Sequence, residues 1–128
     1  MLSIPGGLKI YLATAPVDFR KSHDGLAAIV EQALKEDPLS GGLFVFTNKR
    51  SDRVKLLYWD NDGYALWYKR LEAGVFRFPK AESESQKLTL SAADFQMILS
   101  GVDLSSVKRL KRYQRPLAKE TSKNLALT

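Results

Sequence analysis

Hydrophobic and polar positions change period several times along the chain, and each change marks an element. Residues 8–14, LKIYLAT, alternate and carry β-formers, which predicts a first strand that Pro16 ends. From Ser22 or Asp24 to Leu34 the period lengthens. Leu26, Ile29, Val30, Ala33 and Leu34 fall at i, i+3, i+4, i+7 and i+8, so one apolar stripe runs down a helix that Pro38 and the following SGG terminate. GLFVFT is apolar almost throughout, a short run of strand type, and the polar NKRSD leads to another strand, RVKLLYW. DNDG is a turn, in which Asp and Asn tolerate left-handed backbone and Gly63 is expected to supply a positive φ without steric cost. YALWYKRL pairs back. Beyond Gly74, VFRFP is expected as a further hairpin partner, which makes an antiparallel meander.

Between Pro79 and Lys87 the stretch KAESESQ holds no large hydrophobe and reads as a mobile connection. KLTLSAADFQMILSG follows. Ser91 and Asp94 have the Ser-x-x-acid spacing of a capping box, Phe95, Ile98 and Leu99 form an apolar stripe, and Gly101 stands where a helix C-cap favours glycine. In the remainder, SSVKRLKRYQRPLAKETSKNLALT, helix is possible up to Arg115 and Pro116 interrupts it, with disorder expected beyond. There is no internal repeat.

Composition narrows the classes. The 128 residues fit one domain large enough for an ordinary core. With no cysteine and only His23, disulfides and thiolate or His-rich metal sites are excluded. No apolar run approaches the roughly 20 residues that span a bilayer, and MLSIPGGLKIYL lacks the pattern of a signal peptide, so we expect a soluble cytoplasmic protein without a membrane partner. The net charge of +6 is unevenly placed. Residues 1–104 hold 13 Lys/Arg and 13 Asp/Glu, whereas residues 105–128 hold 7 and 1, so the whole excess lies in the last 24 positions. A neutral body, residues 1–104, with a basic tail, residues 105–128, suits phosphate contacts, with DNA the expected partner, although basic ends also serve solubility. Lys108, Arg109, Lys111, Arg112 and Arg115 are the tail's candidate contacts.

The hairpin offers a second candidate surface. If Trp59 faces Tyr64, alternation puts Val54, Leu56, Tyr58, Ala65, Trp67 and Leu71 on one face, which looks like core. The other face receives Arg53, Lys55, Leu57, Trp59, Tyr64, Leu66, Tyr68 and Arg70. There Arg53, Lys55 and Arg70 are candidates to neutralise phosphates, with Trp59 or Tyr64 stacking on an exposed base. Against this, aromatic residues in small sheets commonly pack as core with Lys and Arg stems laid over them. In NKRSDRVK the cations Lys49, Arg50, Arg53 and Lys55 surround a single acid, Asp52, which makes a basic, reachable loop or simply a charged strand end that resists aggregation.

Catalytic signatures are weak. Asp18, Asp24, Asp60 and Asp62 are the acids to consider for paired Mg²⁺ ions, but turn geometry accounts for Asp60 and Asp62, and helix capping for Asp18 and Asp24. Position twelve of a calcium loop counted from Asp60 is Leu71 rather than Glu. His23 has no nucleophile elbow to serve and reads as a capping or surface residue. PGGLK and LSGGLF lack the strand-to-helix placement of a phosphate cradle. We expect no enzyme activity, no cofactor and no bound metal.

With these residues placed, IYLATAPVDFRKSHDGLAAIV followed by GGLFVFTNKRSDRVKLLYWDNDGYALWYKRLEAGVFRFP resembles the TnpB, or second-open-reading-frame, accessory proteins of the IS-sixty-six group of bacterial insertion sequences. These are unrelated to the RNA-guided nucleases that share the name. The resemblance runs over about residues 4 to 104 and includes LTLSAADFQMILSGVDL; Ala15, Val17, Phe19 and Ser22 depart from it, where Gly, Thr, Met and Gly are expected. It implies a transposition accessory encoded beside a separate transposase, without enzymatic activity of its own. The matching positions are Asp18, Arg20 and Lys21, then Lys49, Arg50 and Arg53, then Trp59, Asp60 and Gly63, then Trp67 to Glu72. No established catalytic residue comes with them.

The expected architecture is α+β: a mostly antiparallel sheet of about five strands, one longer helix packed on it and a short C-terminal helix. The expected function is non-catalytic DNA binding within a transposition complex. The alternative is an adaptor that engages the transposase without touching DNA. The sequence does not fix an oligomeric state.

Overall fold

The structure is a computed structural model that describes residues 3–81 and 84–104. Its elements are β1 (Ile10–Ala13), α1 (His23–Gln32), β2 (Leu43–Thr47), β3 (Arg53–Asp60), β4 (Gly63–Arg70), β5 (Lys87–Leu90) and α2 (Ala92–Leu99). The five strands form one sheet in the order β4-β3-β2-β1-β5. Only β1 and β2 run parallel, joined by α1 as a crossover, and every other neighbouring pair is antiparallel. The fold is therefore α+β with a mostly antiparallel sheet, carrying a helix of ten residues and one of eight.

Strand alternation divides the core into two layers. Ile10, Leu12, Val45, Val54 and Leu56 point to one face, where Phe76, Phe95 and Ile98 cover them. Ala13, Phe44, Phe46 and Leu57 point to the other, where Leu26, Val30 and Leu34 of the α1 segment cover them. GLFVFT is apolar almost throughout because β2 is buried on both faces. Trp59 pairs with Tyr64 in the β3–β4 ladder, and the face assignments of the hairpin follow from that register.

Three expectations are corrected. VFRFP is not a strand: Gly74, at φ +83°, turns the chain away from β4, and residues 75–79 cross the sheet face as a strap. Phe76 N–H donates to Ser51 O at 2.7 Å, and Phe78 lies between Phe76 and Phe95, with centroids 5.9 and 6.4 Å away. The fifth strand is instead KLTL, which pairs antiparallel with β1. In the hairpin turn the left-handed residue is Asn61, at φ 60°, rather than Gly63, because the loop between β3 and β4 holds only Asn61 and Asp62. The stretch 80–86 contributes no helix or strand among its described residues, yet it is anchored at one end: Thr14 donates from its N–H to Gln86 O and from its hydroxyl to Ser85 O.

The ends of α2 follow the sequence closely. Ser91 Oγ accepts from Asp94 N–H at 3.0 Å. At the other end Val102 N–H reaches Met97 O and Gly101 N–H reaches Ile98 O, a Schellman pair, with Gly101 at φ +95°. For α1, Ser22 makes no side-chain cap, since its hydroxyl meets His23 Nδ1 at 3.0 Å. Replacing Gly101 by Ala should lower stability by about 1 kcal/mol. Gly63→Ala should stay within about 0.5 kcal/mol, because Gly63 needs no positive φ and has open space at its Cβ. Urea midpoints of the two variants measure the contrast.

Candidate nucleic-acid interface

The carboxyl ends of parallel β1 and β2 open into a cleft of about 870 Å³. Leu12, Ala13 and Thr47 line it from the strands, residues 48–51 from the β2–β3 loop, and residues 75–81 from the strap. Among the described residues four cations line it, Lys49, Arg50, Arg77 and Lys80, against one acid, Glu84. All five are exposed.

Asn48 builds the loop that presents Lys49 and Arg50. Its amide donates to Asp52 Oδ1 at 2.6 Å and its carbonyl oxygen accepts from Arg53 N–H at 3.0 Å, while Ser51 N–H closes the turn on Asn48 O. Ser51 takes a left-handed φ of 59°. The bond from Asn48 holds the Asp52 carboxyl below its ordinary range, and the Arg50 charge nearby adds to the effect. The strap is tied to the same loop by Phe76 N–H on Ser51 O. Phe76 and Phe78 point inward, so Arg77 between them points out into the cleft. Sequence reasoning missed Arg77 and Lys80 because VFRFP was assigned to the meander; the in-out alternation of Phe76, Arg77 and Phe78 was the available signal.

The other candidates lie elsewhere. Lys55 is corrected: it is 5 % exposed, and its Nζ donates to Phe19 O at 2.8 Å and Lys21 O at 2.7 Å. The rings of Phe19 and Tyr68 flank the ammonium at 5.1 and 5.2 Å from their centroids. Burial pushes the Lys55 ammonium below the ordinary lysine range, and Asp18 opposes that. It is thus an internal tether for the VDFRK turn rather than a surface cation. Asp18 and Arg20 shape that turn by a forked ion pair, with Nη2 to Oδ2 at 2.6 Å, and Arg20's hydrogen bonds hold the Asp18 carboxyl at about 2.

Arg53 is half-buried and donates to Tyr68 Oη at 3.2 Å; Arg70 stands opposite it in the ladder and pairs with Glu72 at 3.1 Å. Trp59 and Tyr64 sit at the other end of the hairpin, six positions or about 20 Å along the strands, so the mixed basic and aromatic surface does not assemble. Between those ends Lys55, Leu57 and Leu66 face the α1 layer, not solvent. The two rings are half-buried and engage each other edge to face, 5.2 Å between centroids at 83°. Burial raises the Tyr64 hydroxyl's pKa, with nearby acids adding to it. Lys108, Arg109, Lys111, Arg112 and Arg115 lie outside the described residues.

Among the described residues no three His, Cys, Asp or Glu side chains gather as a metal site. No helix there is long and apolar enough to cross a membrane. What the cleft offers chemically is a cluster of cations on a braced loop and strap, suited to an extended polyanion.

The two kinds of lysine separate in a stability measurement. Lys55→Met keeps the apolar stem but leaves the Phe19 and Lys21 carbonyls without their donor, and should cost about 1–3 kcal/mol. Lys49→Met should remain within about 0.5 kcal/mol. Urea unfolding at neutral pH measures both.

Comparison with known proteins agrees with the resemblance in the sequence. The family described as IS66 Orf2 like protein matches residues 8–109. Two relatives from Sinorhizobium fredii, both titled uncharacterized proteins, are similar: y4jC is 43% identical over 116 residues, covering 91% of this chain and 97% of its own length. The second, y4hO, is 35% identical over 102 residues, covering 78% and 87%. No solved structure matches. On the extent of these matches, the chain belongs to the IS66 Orf2-like family, whose members are associated with insertion sequences.

Proposed function

We propose that this protein is a non-catalytic accessory of transposition that binds DNA by its phosphate backbone, within the complex that contains the element's transposase. The observation that carries this reading is the cleft lining, where among the described residues Lys49, Arg50, Arg77 and Lys80 converge against Glu84. A body with 13 basic and 13 acidic residues in positions 1–104 has no overall positive field, so a local excess of three charges among the described lining residues is a placement rather than an average. Backbone contacts of this kind position a protein on DNA without reading sequence.

The cleft and the tail act together in this account. Lys49, Arg50, Arg77 and Lys80 hold one stretch of backbone, and Lys108, Arg109, Lys111, Arg112 and Arg115 add sequence-independent contacts. Arg53 and Arg70, already engaged with Tyr68 and Glu72, contribute less. Lys55 contributes nothing to the interface directly.

Fluorescence anisotropy of the full chain on an element-end duplex and a scrambled duplex, across a salt series, tests the proposal. Replacing the four cleft cations by Gln should flatten the slope of log affinity against log salt by about 3.6, from about 0.9 per phosphate contact. Replacing the five tail cations should flatten it by about 4.5. Affinity that does not depend on salt, or no binding to either duplex at low salt, would contradict the proposal.

A further inference from the structure

Strand β4 forms one edge of the sheet, and among the described residues no strand pairs with its outer side. One bond fixes which backbone groups face out. Leu71 N–H donates to Asp52 O at 2.8 Å, and hydrogen-bonded and non-bonded pairs alternate along an antiparallel ladder. Lys69, Trp67, Ala65 and Gly63 therefore turn their N–H and C=O toward β3, and Tyr64, Leu66, Tyr68 and Arg70 turn theirs outward.

This edge carries charge only at its far end, at Lys69 and Arg70, and lacks the other usual protections. It runs eight residues without proline, and its pairing with β3 is continuous from Asp60–Gly63 to Arg53–Arg70, so no bulge twists it away. The opposite edge, β5, is only four residues long. The charges around this edge differ between its ends. Asp62 in the turn and Asp60 at the end of β3 are exposed, while Lys69, Arg70 and Glu72 are exposed at the far end, where Glu72 pairs with Arg70. A second copy laid antiparallel brings each acidic turn to the other copy's far end, where Lys69 and Arg70 outweigh Glu72 by one charge; a parallel copy would set turn against turn.

We propose that two copies of this chain join through their β4 edges, antiparallel about a two-fold axis, and make the two five-stranded sheets continuous. The register that uses all four outward residues is unique. It sets Tyr64 opposite Arg70 of the second copy and Leu66 opposite Tyr68, with Trp67 facing its own counterpart across the axis at a non-bonded position. Tyr68, 48 % exposed in the single chain, then gains a cross-strand neighbour on its outer side. Among the described residues β4 contributes none to the lining of the cleft, so the pairing does not depend on the DNA reading.

Sedimentation equilibrium on nuclease-treated full-length protein, with amide hydrogen exchange read by NMR, tests it. Rising concentration should shift the mass from 14.4 kDa to twice that value. In the dimer the amides of Tyr64, Leu66, Tyr68 and Arg70 should become as protected as those of Ala65, Trp67 and Lys69. Leu66→Pro removes an outward N–H without touching the ladder to β3 and should weaken the dimer by at least about tenfold. A monomer at every concentration overturns the proposal, and so does a dimer in which those four outward amides still exchange freely. The exchange pattern of the unmodified chain decides the matter even if a variant fails to fold.

Discussion

The structure depends on one constraint: the sheet is buried on both faces, and among the described residues the two short helices α1 and α2 are too little to cover it. Phe44, Val45 and Phe46 are consecutive and all fully buried, so β2 needs cover above and below. Removing each such side chain from water stabilises the fold by roughly 1.5–3 kcal/mol, and an uncovered face would forfeit it. α1 covers one side with Leu26, Val30 and Leu34. The eight residues of α2 are too few for the other, and the strap completes it with Phe76 and Phe78. The site follows from that packing. Drawing the strap across the sheet places Arg77 and Lys80 beside the β2–β3 loop, where Lys49 and Arg50 already project.

Lys55 shows the same constraint acting on a charge. Its position in β3 points into the α1 layer, where an uncompensated ammonium would be costly. The VDFRK turn supplies the compensation, two backbone carbonyls and two aromatic rings, and the Asp18–Arg20 fork shapes that turn. A side chain that looks like part of a basic cluster in the sequence thereby becomes the link between the β1–α1 connection and the sheet.

Much of the fold was legible because local chemistry and tertiary packing agree. The stripe in α1, the Ser91 cap, the Gly101 terminus and the Trp59–Tyr64 register all follow from spacing. The failures have a common cause. VFRFP and KLTL both alternate, and nothing local says that the first serves as a strap and the second as an edge strand; the partner across space decides. Likewise the alternation that grouped Arg53, Lys55 and Arg70 with Trp59 and Tyr64 was right about the face but silent on what covers it. Lys49 and Arg50 were legible as exposed loop cations, whereas their neighbours Arg77 and Lys80 come from about 30 residues further along the chain.

As a member of the IS66 Orf2-like family, the protein is best understood as a scaffold whose core packing assembles a basic groove from separate segments. The most direct test of that account is the map of backbone amides perturbed when an element-end duplex is titrated into the isotope-labelled full-length chain. The account predicts that the shifts concentrate in residues 48–51 and 75–80, with Trp59 and Tyr64 unmoved. Shifts centred on the hairpin turn at Trp59 and Tyr64, with the cleft silent, would contradict it.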